Sequence, residues 1–149
     1  MPCGPSKGKV LLWPTCYADS ANIRFHEAKG PQLASGVRFY FETFGFPIEA
    51  EVVEHVAPVP GQAARIASHG MAWHGMAVST SDDRLDVHHA WLIEDLSGNR
   101  VRILTQETQV GKPALALASA RPKPMINGHQ EWLDGMVLAA RRASAAGRP

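Results

Sequence analysis

Apolar and polar residues alternate from about residue 37 onward. Val37, Phe39 and Phe41 interleave with Arg38, Tyr40 and Glu42, the period of two expected of a half-buried strand. Gly45-Phe46-Pro47 supplies turn residues. Beyond it Ile48, Ala50, Val52 and Val56 alternate with Glu49, Glu51 and His55, so the pair reads as an antiparallel hairpin. Glu49, Glu51 and Glu54 fall on its solvated face. Pro58-Val59-Pro60-Gly61 interrupts, and a third strand is expected over residues 65–73, its pattern diluted by Gly70 and several alanines. Residues 87–94 alternate again, with Val87, His89, Trp91 and Ile93 on one face and His88, Ala90, Leu92 and Glu94 on the other. After the turn signal Leu96-Ser97-Gly98-Asn99, Val101, Ile103, Thr105 and Glu107 share a face, giving the clearest hairpin in the chain.

The period changes after Gly111. Pro113 suits a first helical position and residues 114–120 form a short Ala/Leu helix. Arg121-Pro122-Lys123-Pro124 breaks it, and a longer helix runs from Met125 or Gly128 to Ala145. On a helical wheel Met125, His129, Trp132, Leu133, Met136, Val137, Ala140 and Ala143 form an apolar stripe, opposite Gln130, Glu131, Asp134, Arg141 and Arg142. Such a stripe must be buried, and the apolar face of the sheet is the surface available. The expected architecture is α+β: a curved antiparallel sheet gripping a long C-terminal helix in a single domain. Curling of the sheet would open a cavity between the two, the kind of space that holds small ligands.

Composition narrows the function classes. The chain has 149 residues, 45% hydrophobic and 19% charged, within the range of ordinary single globular domains. A formal net charge of +1 gives no basic stripe and hence no reason to expect a nucleic-acid partner. The two cysteines, Cys3 and Cys16, cannot staple a scaffold. No apolar run approaches the length of a membrane span or a signal-peptide core, and the expected location is cytoplasmic. A homodimer is compatible with the pattern but not encoded by it.

Several strings in this order resemble the SRPBCC superfamily, also called START-like or helix-grip proteins, and within it the polyketide cyclase/dehydrase-like branch. They are Gly36-Val37-Arg38-Phe39, Ile48-Glu49-Ala50-Glu51-Val52-Val53-Glu54, His89-Ala90-Trp91-Leu92-Ile93-Glu94, Val101-Arg102-Ile103-Leu104-Thr105-Gln106-Glu107 and His129-Gln130-Glu131-Trp132-Leu133-Asp134-Gly135. The resemblance covers residues 13–142. It implies an apolar cavity closed by the last helix, and members that carry apolar molecules, close polyketide rings or regulate partners. The family's opening strand and most of its first helix have no counterpart here; only Val10-Leu11-Leu12-Trp13-Pro14 matches. The chain is therefore expected to be truncated or mis-started, with residues 1–9 a disordered N-terminus and residues 10–146 the domain.

Seven histidines invite a metal reading, but their spacing matches none of the stronger ligand motifs, and no metal or other cofactor is expected. His88 and His89 must point to opposite faces of their strand. His89 and Glu107 each share a face with bulky apolar neighbours, and on the concave side they would bring an imidazole and a carboxylate into the cavity as acid/base candidates. Thr105 adds a hydroxyl on the same face. The expected ligand-contacting set is Phe39, Phe41, His89, Trp91, Ile103, Thr105, Glu107, His129, Trp132 and Met136. The leading expectation is a binding module for a small hydrophobic molecule, lipid or polyketide-like, because the sequence shows a container more clearly than a catalyst. A cyclase/dehydratase-type enzyme and a regulatory protein with a vestigial cavity are the alternatives.

Overall fold

The alternating segments become a single sheet. The computed structural model describes residues 21–26, 33–73, 83–98 and 100–146. In chain order these form β1 (Ala21–Phe25), β2 (Arg38–Thr43), β3 (Phe46–Val56), β4 (Ala64–Trp73), β5 (Arg84–Leu96), β6 (Arg100–Val110), α1 (Lys112–Ser119) and α2 (Pro124–Ala146). The six strands lie side by side in sequence order and every neighbouring pair is antiparallel. The α+β class, the late helices and their positions agree with the reading of the sequence. No described helix is long and apolar enough to cross a membrane. Residues 1–9, the string from Val10 to Pro14 and both cysteines lie outside the described residues.

Two features depart from the pattern. β1 carries no clean alternation: Asn22 has a positive φ of 54° and the pairing with β2 shifts register between Ala21 and Arg24. Ile23 and Phe25 pack partly against the core. The β2–β3 turn is also earlier than Gly45-Phe46-Pro47. Thr43 faces Phe46, and the turn is Phe44-Gly45, with φ of 52° and 75°. Both values are positive, as a two-residue turn matching the strand twist requires. An aromatic residue rarely accepts that conformation, which is why Phe44 does not read as a turn residue. Phe46 and Pro47 belong to β3, where Pro47 sits beyond the last pairing with β4 and so interrupts no ladder on that side.

One face of the sheet carries the core. Phe39 and Phe41, then Phe46, Ile48, Ala50 and Val52, then Leu85, Val87 and Trp91 are buried in strict alternation. The inward positions of β4 are smaller: Ser68, Gly70 and Ala72 follow Ile66. They leave room in front of the sheet's centre. Over it α2 places Trp132, 1% exposed, with Leu133 and Met136 partly buried beside it. Val137 does not join this contact and is 43% exposed, so the packed stripe is narrower than the wheel suggests.

Gly111 makes the exit from β6 possible. It stands at φ 130° before α1, and a Cβ there would overlap the carbonyl oxygen of Arg84 at the start of β5. Gly111→Ala is expected to cost about 3 kcal/mol through clash and backbone strain, a fall in Tm of about 9 °C. Gly45→Ala, where a Cβ meets nothing within 4 Å, should cost about 1 kcal/mol. Thermal unfolding of the two variants checks the ranking, and equal losses would contradict it.

Candidate functional site

Register decides which polar groups meet. On β5 and β6, His89 is the direct cross-strand partner of Glu107, Trp91 of Thr105 and Val87 of Gln109. All six side chains share the core face, because a slip of one residue would turn every one of them outward. His88, next in sequence to His89, is exposed on the far face opposite His69. From above, α2 brings His129 one turn before Trp132 on the same helical face.

The result is a compact polar cluster inside an aromatic frame. Glu107 Oε2 lies 3.2 Å from His89 Nδ1 and 3.2 Å from His129 Nε2. Gln109 donates to Glu107 Oε1 at 2.5 Å and reaches Met125 Sδ at 3.5 Å. Behind the imidazole, His89 Nε2 is 2.7 Å from Thr105 Oγ1, which also lies 3.3 Å from the carbonyl oxygen of Ala90. The His89 ring is packed by Trp91, His129 and Trp132 at centroid distances of 4.8, 5.0 and 5.4 Å. The side chains of His89 and Glu107 are 5% and 9% exposed, and that of His129 is 17% exposed.

Burial sets the protonation states. Desolvation pushes the His89 imidazole down to about 4, against the opposing attraction of the Glu107 carboxylate. For Glu107 burial acts upward. The hydrogen bond from His129, the neighbouring imidazoles and the Gln109 amide outweigh it and hold the carboxyl below its usual range. At neutral pH the cluster therefore holds a carboxylate beside a neutral His89.

Two spaces adjoin the cluster. An internal cavity of about 30 Å³, room for about one water, is bordered by Phe41, Thr43, Ser68, Gly70, His89 and Trp132 among others. A larger cleft of about 370 Å³ lies between β6, α1 and α2, bordered by Ala114, Ala118, Lys123, Ile126 and His129. Glu107, Gln109, Leu117 and Met125 face both. Bordering the smaller cavity, Thr43 is 4% exposed and its hydroxyl has no hydrogen-bond partner among the described residues.

Of the ten residues expected to contact a ligand, Phe41, His89, Glu107, His129 and Trp132 border the cavity or the cleft. Thr105 sits behind His89 and holds it. Phe39 and Trp91 are core residues, and Ile103 and Met136 pack against that core. Thr43 and Gln109 were not singled out by sequence, although each continues an inward alternation, from Phe39 and Phe41 and from Thr105 and Glu107. Nothing in the pattern of α1 marks Leu117 as a lining residue.

No protein-family model and no curated protein matches this chain. A solved structure does: the 1.88 Å crystal structure of a hypothetical protein, jhp0584, from Helicobacter pylori is 45% identical, with a TM-score of 0.74. The match covers 86% of this chain and 72% of that one. The two chains belong to one family. The architecture of this chain is a helix-grip-like α+β fold, a six-stranded antiparallel sheet with a C-terminal helix.

The depressed imidazole has a stability consequence. In the unfolded chain His89 titrates near 6.5, whereas in the fold it does so at about 4. Between these values the unfolded state binds the extra proton. Stability is therefore complete above about pH 6.5 and falls as pH drops toward 4, by roughly 3 kcal/mol in all. Denaturant unfolding across this window in metal-free buffer should show the slope, and His89→Gln should flatten it. An unchanged slope in the variant would contradict the assignment.

Proposed function

We propose that the chain is a helix-grip protein of the SRPBCC type that binds a small, largely apolar molecule in the cleft between β6, α1 and α2. The ligand's polar end meets Glu107 and His129, and its body lies against Leu117, Ala118 and Ile126. What supports this is the shared wall. Glu107, Gln109, Leu117 and Met125 border both the cleft and the internal cavity. Met125 is an unbranched thioether and Leu117 lies on a helix with no fully buried residue, so this partition is soft. Displacing it joins the two spaces and carries a ligand to the unpaired Thr43 hydroxyl. A cleft with apolar walls and a few converging polar groups is the usual form of a small-molecule site.

Binding is tested with fatty acids, sterols and aromatic polyketides by thermal shift and dye displacement. At least one class should bind. Ala118→Trp, which fills the cleft from an exposed helical position, should weaken it at least tenfold with little change in Tm. Thr43→Val removes a buried hydroxyl without a partner, and should raise Tm by about 2–4 °C while weakening binding. No response to any class, or undiminished binding in Ala118→Trp, would overturn the reading.

The protonation states favour a second reading, a cyclase/dehydratase-type reaction in the same space. Glu107, ionised and shielded from bulk water, would accept a proton from the substrate, with the neutral His89 holding the carboxylate in place. Glu107→Ala and His89→Ala should then reduce turnover of an aromatic polyketide by at least a hundredfold. Unchanged turnover would remove the assignment.

A further inference from the structure

We propose that His89 Nδ1, His129 Nε2 and Glu107 Oε2 form a site for one divalent transition-metal ion, zinc by preference, with a further coordination position open to the cleft. This goes beyond ligand binding and does not depend on it.

The spacing of the donor atoms suits a single ion. All three donor atoms lie within 4.8 Å of one another. A tetrahedral zinc ion with bonds of about 2.0–2.2 Å separates its ligands by about 3.3–3.6 Å. Two of the three edges are already close to that length: His89 to Glu107 and His129 to Glu107 are each 3.2 Å. The remaining edge closes by turning His129, the most exposed of the three side chains.

The donor atoms also select the metal. Two imidazoles and one carboxylate are the protein ligands of zinc sites that keep a fourth position free. Magnesium and calcium prefer oxygen ligands throughout. Because Glu107 and His129 border the cleft, the free position faces a space that solvent and ligand can enter. Lys123, the cationic residue bordering the same cleft, is exposed on its rim.

The hydrogen bonds behind His89 accommodate both a loaded and an empty site. Thr105 has one hydroxyl proton and two acceptors within reach, His89 Nε2 at 2.7 Å and the Ala90 carbonyl oxygen at 3.3 Å. If the proton goes to Ala90, the Thr105 oxygen accepts from His89 Nε2–H. The bare Nδ1 of a neutral His89 then faces a carboxylate oxygen, lone pair against lone pair, and a cation between them removes the conflict. If the proton goes instead to His89, Nδ1–H donates to Glu107 and no cation is needed. The cluster is thus complete in a loaded and an empty form, which differ in the tautomer of His89. The loaded form has the outer partner that metal-binding histidines normally have, a hydrogen bond from the second ring nitrogen. Gln109 supplies the equivalent restraint on Glu107 through Oε1.

The test uses full-length protein stripped with a chelator and titrated with zinc chloride alone, with no organic ligand. One ion per chain should bind, cobalt should give the visible absorption of a four-coordinate site, and nitrogen NMR should show His89 changing from the Nδ1–H to the Nε2–H tautomer. His129→Ala and Glu107→Gln, checked for folding by circular dichroism, should each weaken zinc binding at least tenfold. His26→Ala, which removes an exposed histidine paired with Glu49, should leave it unchanged. The proposal is overturned if the stripped protein takes up no zinc, if His26→Ala loses as much affinity as His129→Ala, or if zinc leaves the His89 tautomer unaltered. The wild-type cobalt and tautomer readouts decide the matter even where a variant fails to fold. Zinc binding with no response to the lipid and polyketide classes would remove the ligand reading and leave this one standing, and the converse result would do the opposite.

Discussion

A carboxylate buried to the extent of Glu107 must be paired, and that requirement ties the late half of the fold together. Moving an ionised group out of water carries a penalty of several kcal/mol, offset only when its oxygens are well satisfied. Here the partners come from three elements: His89 from β5, Gln109 from β6 itself, and His129 from α2. The β5–β6 register and the seating of α2 are therefore conditions of one another. Sliding either would strand the charge. Removing one partner of such a group typically costs about 3–5 kcal/mol, far more than an exposed ion pair such as Arg65–Glu54, which contributes at most about 1 kcal/mol.

The sheet accommodates this cluster by being uneven. Aromatic and branched residues on β2, β3 and β5 pack densely, while Ser68, Gly70 and Ala72 on β4 leave the centre shallow. A larger residue at position 70 would force Ile48 to shift, since a Cβ there would lie 2.9 Å from its Cγ2. Trp132 fills most of the space so created, and what is left is about 30 Å³. The helix-grip expectation of a roomy interior is thus met by a nearly filled one, with the larger volume displaced outward to the cleft under α1. Short helix α1, which lacks any fully buried residue, forms one wall of that cleft.

Much of this was legible in sequence, for a specific reason: period-two alternation survives wherever one strand face is buried. It marks β2 to β6, and it places His89, Thr105 and Glu107 on a common face. It fails at β1, where a register shift and a positive φ at Asn22 destroy the period, and at Phe44, whose turn conformation its side chain disguises. Helical periodicity put His129 and Trp132 on one stripe but could not say that the stripe would cross β6 at Glu107, because that depends on the length of the α1–α2 connection. Histidine spacing carried no metal signal for the same reason. The three donors lie on three elements, and no linear motif records a cluster assembled by packing.

Thr43, Gln109 and Met125 show where alternation stops being enough. Each is at an inward or apolar position that pattern alone would assign to plain core. Yet Thr43 leaves a hydroxyl unpaired among the described residues, Gln109 divides its amide between a carboxylate and a thioether, and Met125 stands between two spaces. A chain selected for stability alone would favour valine over threonine at a buried site with no partner. Polar groups in such places, clustered around one buried carboxylate, are the features on which the proposed site rests.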